Sequence, residues 1–114
     1  MPTNNVLLVL IARDAGMRSS LAARLSMSGV DLLTVEAFDD PRIGRGRPRR
    51  VVLVADEGAV DGHDLDSLIA DSRWFRLVLV SDASGADEPG LTRIAPKNAA
   101  ATITAMIASW QAET

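Results

Sequence analysis

The sequence contains no cysteine and only one histidine, His63. The lack of thiols excludes disulfide scaffolds, thiolate zinc sites and cysteine nucleophiles, and a lone histidine excludes a multi-histidine metal site. The longest apolar run, residues 6–12, is far shorter than a membrane span, no basic segment precedes it, and no small-residue cleavage site follows it. We therefore expect a cytoplasmic protein with no signal peptide and no membrane segment.

The chain also has no excess of positive charge, because its 12 lysines and arginines are outnumbered by 15 acidic residues, which gives a formal net charge of -3. No global field therefore attracts nucleic acid to this chain. The 114 residues are 47% hydrophobic and 24% charged, which is the composition of a folded domain. We expect a single domain over residues 1–114, since this length leaves no room for two cores.

Short apolar runs alternate with segments of helical periodicity along the chain. Five runs rich in valine, leucine and isoleucine predict buried strands at residues 6–11, 32–35, 51–54, 77–80 and 91–94. Helical spacing predicts one helix that ends near Ser28 and is closed by Gly29, a short second one, and a last one after Pro96. Their apolar stripes are Met17, Leu21 and Leu25; Leu65, Leu68 and Ile69; and Ile103, Met106, Ile107 and Trp110.

This alternation predicts an α/β fold in which a five-stranded parallel sheet has helices on both faces. Right-handed crossovers favour a doubly wound, flavodoxin-like sheet with strand order 2-1-3-4-5. Residues 37–50 and 82–90 are rich in proline, glycine and aspartate. We therefore expect the second and fourth helices of such a fold to be reduced, and one face of the sheet to be short of cover.

Polar residues follow the predicted strands, and the carboxyl ends of strands are where such sheets hold their functional groups. The residues at these ends are Ala12, Arg13 and Asp14 after the first strand, Asp56 and Glu57 after the third, Ser81 and Asp82 after the fourth, and Ala95, Pro96 and Lys97 after the fifth. An aspartate, a hydroxyl and an X-Pro pair in this order resemble the receiver domain of bacterial response regulators, the CheY-like family. The resemblance extends over essentially the whole chain and is close in residues 6–29 and 51–56.

The resemblance implies a two-component signalling module and not an enzyme. It implies that Asp56 is the phosphoacceptor, that Ser81 is the switch hydroxyl and that Pro96 is the proline after the fifth strand. The implied partners are proteins, either a histidine kinase or a downstream regulator of a phosphorelay. The implied cofactor is magnesium.

Several positions of the family's pattern are not kept in this chain. The acidic pair that holds magnesium falls on Ala12 and Arg13. The lysine after the fifth strand falls on Ala95, with Lys97 displaced by two residues, and the aromatic switch position falls on Thr92. Because magnesium requires near-octahedral oxygen ligands, the loss of two carboxylates weakens the implied metal site.

These departures lead first to the hypothesis of a degenerate receiver that acts through protein contacts and binds no cofactor or metal. Arg13 then either pairs with Asp56 in the place of the metal or points into solvent. The alternative is a phosphorylation-competent receiver that accepts phosphate on Asp56, with magnesium held there and Asp14, Glu57 and Asp82 as replacement carboxylates. A small hydrolase or transferase ranks last, because the sequence has no nucleophile elbow and no glycine-rich phosphate loop.

Each candidate residue also has a structural interpretation. Asp14 and Asp56 are candidates for capping or loop carboxylates, and Ser81 for a hydrogen bond at a strand end. We expect His63, which lies in a loop, to be exposed. The arginine-rich stretch from Arg42 to Arg50 is either a solvated loop or a surface that binds an acidic partner or phosphate.

The expected shortage of helices leads to a prediction about assembly. Apolar surface should remain near the fourth and fifth strands and the edge of the last helix. Members of the resembled family often pair through this region. We therefore expect a homodimer, or a partner protein, docked on the side of the fifth strand and residues 97–111.

Overall fold

Strands and helices alternate along the chain in the computed structural model, which describes residues 6–43, 50–71, 73–81 and 90–112. In chain order the elements are β1 (Val6–Ile11), α1 (Ala15–Met27), β2 (Leu32–Thr34), β3 (Arg50–Asp56), α2 (Glu57–Val60), α3 (Leu65–Ala70), β4 (Arg76–Val80), β5 (Leu91–Ile94), a 3-10 turn (Pro96–Asn98) and α4 (Ala99–Ala112). Strands β1 and β5 have the predicted bounds. The other three differ from prediction by at most two residues at either end.

The five strands form one parallel sheet in the order β2-β1-β3-β4-β5. The predicted doubly wound, flavodoxin-like α/β fold is therefore confirmed. The register pairs Ile11 with Ala55 and Asp56 with Val80. The carboxyl ends of β1, β3 and β4 consequently meet at one edge of the sheet, and Asp56 is the last residue of its strand there.

Helices α1 and α4 cover one face of the sheet. Alternate residues of β1 face them, because successive side chains of a strand point to opposite faces. The buried side chains of this layer include Leu8, Leu10, Leu21, Leu25, Val54, Ile103 and Ile107. The apolar stripes predicted for the first and last helices are therefore core, with Trp110 at its edge and 9% exposed.

The opposite face is covered by α2, α3 and the irregular segment after β2. Phe38 and Ile43, which lie in that segment, are 7% and 0% exposed and pack with Leu68 and Trp74. The Trp74 indole N–H also donates a 2.7 Å hydrogen bond to the Leu68 carbonyl. The expectation that residues 37–50 supply no cover is wrong for their described part, because two buried side chains on a turn can replace a helix.

The two ends of α1 are built as the sequence predicts. The Asp14 carboxylate accepts a 2.9 Å hydrogen bond from the backbone N–H of Met17, which satisfies a donor that the first helical turn leaves free. Beyond the C-terminal end, Gly29 has a φ of 83°, a conformation that glycine adopts without steric cost. The capping carboxylate of Asp14 and the left-handed conformation of Gly29 therefore set the two ends of the helix.

The helices around the middle of the chain differ from expectation in one respect. The sequence does not predict α2, which begins directly after Asp56. Residues 35–43 contain turns and no helix, in line with the expected reduction of the second helix. The reduced fourth helix is expected within residues 82–90, and most of these lie outside the described residues. Within the described chain, no helix is both long enough and apolar enough to cross a membrane.

We predict that Ile43→Ala lowers the free energy of unfolding by about 2–5 kcal/mol, because the side chain is fully buried in the second core layer. Met27→Ala is the matched control, since Met27 is 87% exposed, and it should change stability by less than about 0.5 kcal/mol. Urea denaturation measures both. Equal effects of the two substitutions would show that the segment after β2 does not close the core.

Candidate functional site

A shallow groove of about 260 Å³ lies at the carboxyl ends of β1, β3 and β4. It brings together six of the residues that the sequence predicts for the site: Arg13, Asp14, Asp56, Glu57, Ser81 and Pro96. Lys97 is exposed and does not line the groove. Asp82 lies outside the described residues.

The Asp56 carboxylate is the most buried charged group of this groove, with only 6% of the residue exposed. Its Oδ1 accepts hydrogen bonds from the backbone N–H groups of Ala59 at 2.8 Å and Arg13 at 3.2 Å. Its Oδ2 accepts from the backbone N–H groups of Arg13 and Asp14, both at 3.0 Å. The four contacts come from three donors, because the N–H of Arg13 is shared between the two oxygens, and both oxygens of the carboxylate are therefore engaged.

These contacts give Asp56 two structural tasks. It is the N-cap of α2, where its side chain satisfies the N–H of Ala59 at the start of that helix. It also holds the turn between β1 and α1 against the end of β3, through the N–H groups of Arg13 and Asp14. Hydrogen bonds to a charged acceptor are stronger than neutral ones, so this carboxylate fixes the relative position of two loops.

The side chain of Arg13 does not pair with Asp56. The residue offers its backbone N–H to the carboxylate, while its side chain is exposed and forms no ion pair with any described residue. The stem of Arg13 lies over Gly58, because a Cβ at position 58 would stand 3.1 Å from the Arg13 Cβ and 3.6 Å from its Cδ. Of the two alternatives for Arg13, the structure therefore has the exposed one, and Gly58 is a contributing residue that the sequence did not reveal.

Ser81 and Glu57 form a second polar contact in the groove. The Ser81 hydroxyl donates to the Oε1 of Glu57, and the Ser81 backbone N–H donates to the Ile94 carbonyl at 2.9 Å. Ser81 is 7% exposed, whereas Glu57 is exposed. Ser81 is thus a hydrogen-bonding residue at a strand end, and it orients the carboxylate of Glu57.

The remaining carboxylates do not gather into a metal site. Asp14 caps α1 and Glu57 is bonded to Ser81. Across the residues that the structure describes, no three side chains of histidine, aspartate or glutamate lie close enough to hold a metal ion. Ala12, at one position of the family's acidic pair, is 5% exposed and has no ligand atom on its side chain.

The arginine-rich stretch is described only at its ends. Arg42 donates from its guanidinium to Asp40 at 2.8 Å, and this hydrogen bond, together with the negative charge of Asp40, raises the pKa of Arg42 above its ordinary value. Arg50 starts β3, and its guanidinium lies 4.6 Å from the centre of the Phe75 ring. Residues 44–49, where most of the predicted surface for an acidic partner lies, are outside the described residues.

Comparison with known proteins supports the fold and leaves the function open. No protein-family model matches the chain, and no curated protein matches it. A crystal structure of a fragment from Peptoclostridium difficile 630, named "putative lipoprotein", is similar with a TM-score of 0.60 and 13% identity, over 91% of this chain and 96% of that one. At this identity the similarity shows a shared fold alone.

We predict that Asp56→Ala lowers the free energy of unfolding by about 2–4 kcal/mol, since it removes a helix cap and leaves the N–H groups of Arg13 and Asp14 without their acceptor. Asp56→Asn should cost less, because an amide oxygen still caps a helix. Chemical denaturation measures both variants. A carboxylate held for chemistry often costs stability, so unchanged or higher stability of Asp56→Ala would contradict the structural role.

Proposed function

We propose that this protein is a degenerate receiver-like module of two-component signalling that acts through protein contacts, without magnesium-dependent phosphorylation and without catalysis of its own. The observation that carries the proposal is the state of Asp56. Its two oxygens accept four hydrogen bonds from backbone N–H groups of Arg13, Asp14 and Ala59. Three N–H groups make these contacts, because that of Arg13 is shared by both oxygens, and an incoming phosphoryl group would have to displace part of this set.

Phosphoryl transfer to a carboxylate makes demands that this groove does not meet. The acceptor oxygen must approach phosphorus in line, and cations must neutralise the charge on the transferred oxygens. Ala12 and Arg13 stand at the two positions where a metal would need carboxylates, and the stem of Arg13 lies over Gly58 while its side chain forms no ion pair with Asp56. Asp14 and Glu57, the described replacement ligands, have structural hydrogen bonds of their own.

A phosphorylation-competent receiver is the second candidate, and one observation favours it. The groove gathers Asp56, Ser81 and Pro96, the three positions that match the family's motif. For this function the β1–α1 turn would have to move so that Asp56 loses the N–H groups of Arg13 and Asp14. Each hydrogen bond to a charged group contributes about 1.5–3 kcal/mol, so this rearrangement would need compensation from a bound ion and phosphoryl group.

The contact surface of the proposed module is the face formed by α1 and α4. Helix α4 contains no charged residue, and it exposes Ala101, Ala105 and Ala108 beside Met27 at the end of α1. These residues line an open groove of about 600 Å³. A second copy of the chain presents the same surface, in which α4 contributes no charge and Arg24 of α1 lines the groove, so a two-fold pair forms without repulsion between like charges on α4.

This surface shares α4 with the sequence-based expectation, which placed apolar surface near β4, β5 and the edge of the last helix. Leu91 and Ile94 of β5 are buried, whereas Phe75, directly before β4, is 41% exposed and meets Trp110 of α4 edge to face. The surface proposed here adds Met27 at the end of α1. The proposed module is a cytoplasmic homodimer, and its further partners are a histidine kinase or a downstream regulator.

We predict that millimolar magnesium with beryllofluoride leaves the amide resonances around Asp56 and Ser81 unchanged in an ¹H–¹⁵N spectrum, because both oxygens of Asp56 are engaged. A phosphorylation-competent receiver under the same conditions is the positive control. Saturable shifts at these residues that disappear in Asp56→Asn would contradict the proposal and support the second candidate.

We also predict that the wild-type chain sediments as a dimer at high concentration and that Ala105→Arg converts it to a monomer, since each copy would add a positive charge to the groove that Arg24 already lines. Ala70→Arg is the matched control, because Ala70 is exposed at the end of α3 on the opposite face of the sheet. It should leave the dimer intact. A wild-type monomer at every concentration would refute self-association through this face.

A further inference from the structure

A larger cleft lies beside the Asp56 groove, at the carboxyl ends of β1 and β2. Its volume is about 710 Å³, within the range of pockets that hold small organic ligands. One wall is the segment after β2, with Ala37 and Phe38, and the other is the segment between α2 and α3, with His63. In doubly wound sheets, ligands bind in crevices at this end of the strands.

The floor of the cleft is apolar, and two of its residues are alanines. Ile11, Ala12 and Ala59 are 3%, 5% and 5% exposed and line it. Phe38 meets His63 edge to face across the two walls, with ring centroids 4.8 Å apart. The methyl groups of the alanines leave the volume open, and the floor with its aromatic wall suits a flat apolar body.

Cations lie around this floor. Arg13 and Arg18 line the cleft and form no ion pair with any residue that the structure describes. Arg18 is anchored, since one guanidinium N–H donates to the Ala12 carbonyl at 3.2 Å. Arg73 is also held in place, by Asp71 at 2.9 Å and by the ring of Trp74 at 4.9 Å from its centre.

Acidic residues are present but do not occupy the two unpaired arginines. Glu36 and Asp39 line the cleft and are exposed, so solvent screens their charge. Glu36 also lines a neighbouring depression together with Arg18 and Arg42, without forming an ion pair with Arg18. The guanidinium groups of Arg13 and Arg18 therefore keep N–H donors for a ligand, and their planar geometry matches the oxygens of carboxylates and phosphates.

We infer that this cleft is a binding site for a small organic anion, in which a carboxylate or phosphate group meets Arg13 and Arg18 and a flat apolar body lies against Phe38 and the alanine floor. The inference goes beyond the proposed signalling role, because it requires neither phosphorylation of Asp56 nor a protein partner. Arg13 lines both the cleft and the Asp56 groove, so an occupied cleft has direct contact with the turn that Asp56 holds.

Titration of the ¹⁵N-labelled full chain with four probes tests this site. Phenyl phosphate and benzoate each combine an anionic group with a flat apolar ring, and comparing them distinguishes phosphate from carboxylate. Inorganic phosphate has the anionic group without the ring, and benzyl alcohol has the ring without the anionic group. We expect saturable shifts with at least one of the first two, centred on the amides of Arg13, Ala37, Ala59 and His63. Both single-feature probes should bind more weakly.

Two variants localise the binding. Arg13→Gln should weaken the better probe by about tenfold, the effect of losing one charge-assisted hydrogen bond. Arg24→Gln, which removes the same charge from an exposed position of α1 outside the cleft, should change affinity by less than about twofold. Ala37→Phe should abolish binding by filling the cleft from an exposed position, with a dispersed spectrum as evidence of folding.

Several results would overturn the inference. The first is the absence of saturable shifts with both organic anions. The second is equal affinity for benzyl alcohol, and the third is equal weakening by Arg24→Gln. Unchanged binding in Ala37→Phe would locate the ligand elsewhere. Because none of these readouts uses magnesium or beryllofluoride, failure here leaves the proposed function standing, and the reverse also holds.

Discussion

The functional end of this molecule depends on one buried carboxylate. Asp56 ends the central strand β3, starts α2 and receives the backbone N–H groups of the β1–α1 turn. These contacts place Arg13 and Asp14 relative to Glu57 and Gly58, and so they shape both the groove over β3 and the cleft beside it. A charge that satisfies several backbone donors at once is a rigid anchor, since each loop loses an acceptor if it moves away.

The polar groups at the carboxyl ends of the strands fall into two sets with different roles. Asp56 and Asp14 are used for capping, and Ser81 is bonded to Glu57, so the groove is occupied by structural hydrogen bonds. Arg13 and Arg18, which form no ion pair with a described residue, lie on the other side of the β1–α1 turn. Guanidinium groups with free N–H donors therefore lie in the cleft, whereas the polar groups around Asp56 are already bonded to one another.

Much of this arrangement can be predicted from the sequence, and the limits have physical causes. Strands and the stripes of α1 and α4 produce periodic patterns, and Asp14 and Gly29 stand at the places where helices begin and end. Irregular segments have no period, so the burial of Phe38 and Ile43 could not be read from residues 37–50. The hydrogen-bond partners of Asp56 could not be predicted either, because they are backbone N–H groups whose positions follow from the tertiary fold. The position of the Arg13 side chain depends on the absence of a Cβ at Gly58.

Amide hydrogen exchange at Arg13 and Asp14 tests the central claim most directly. Both residues have exposed side chains and lie outside regular structure, so only the carboxylate of Asp56 protects their N–H groups. The account predicts slow exchange at both amides in the wild-type chain and faster exchange in Asp56→Ala, with protection in the core of β4 retained. Exchange at the rate of an unstructured peptide in the wild-type chain would show that Asp56 does not hold this turn.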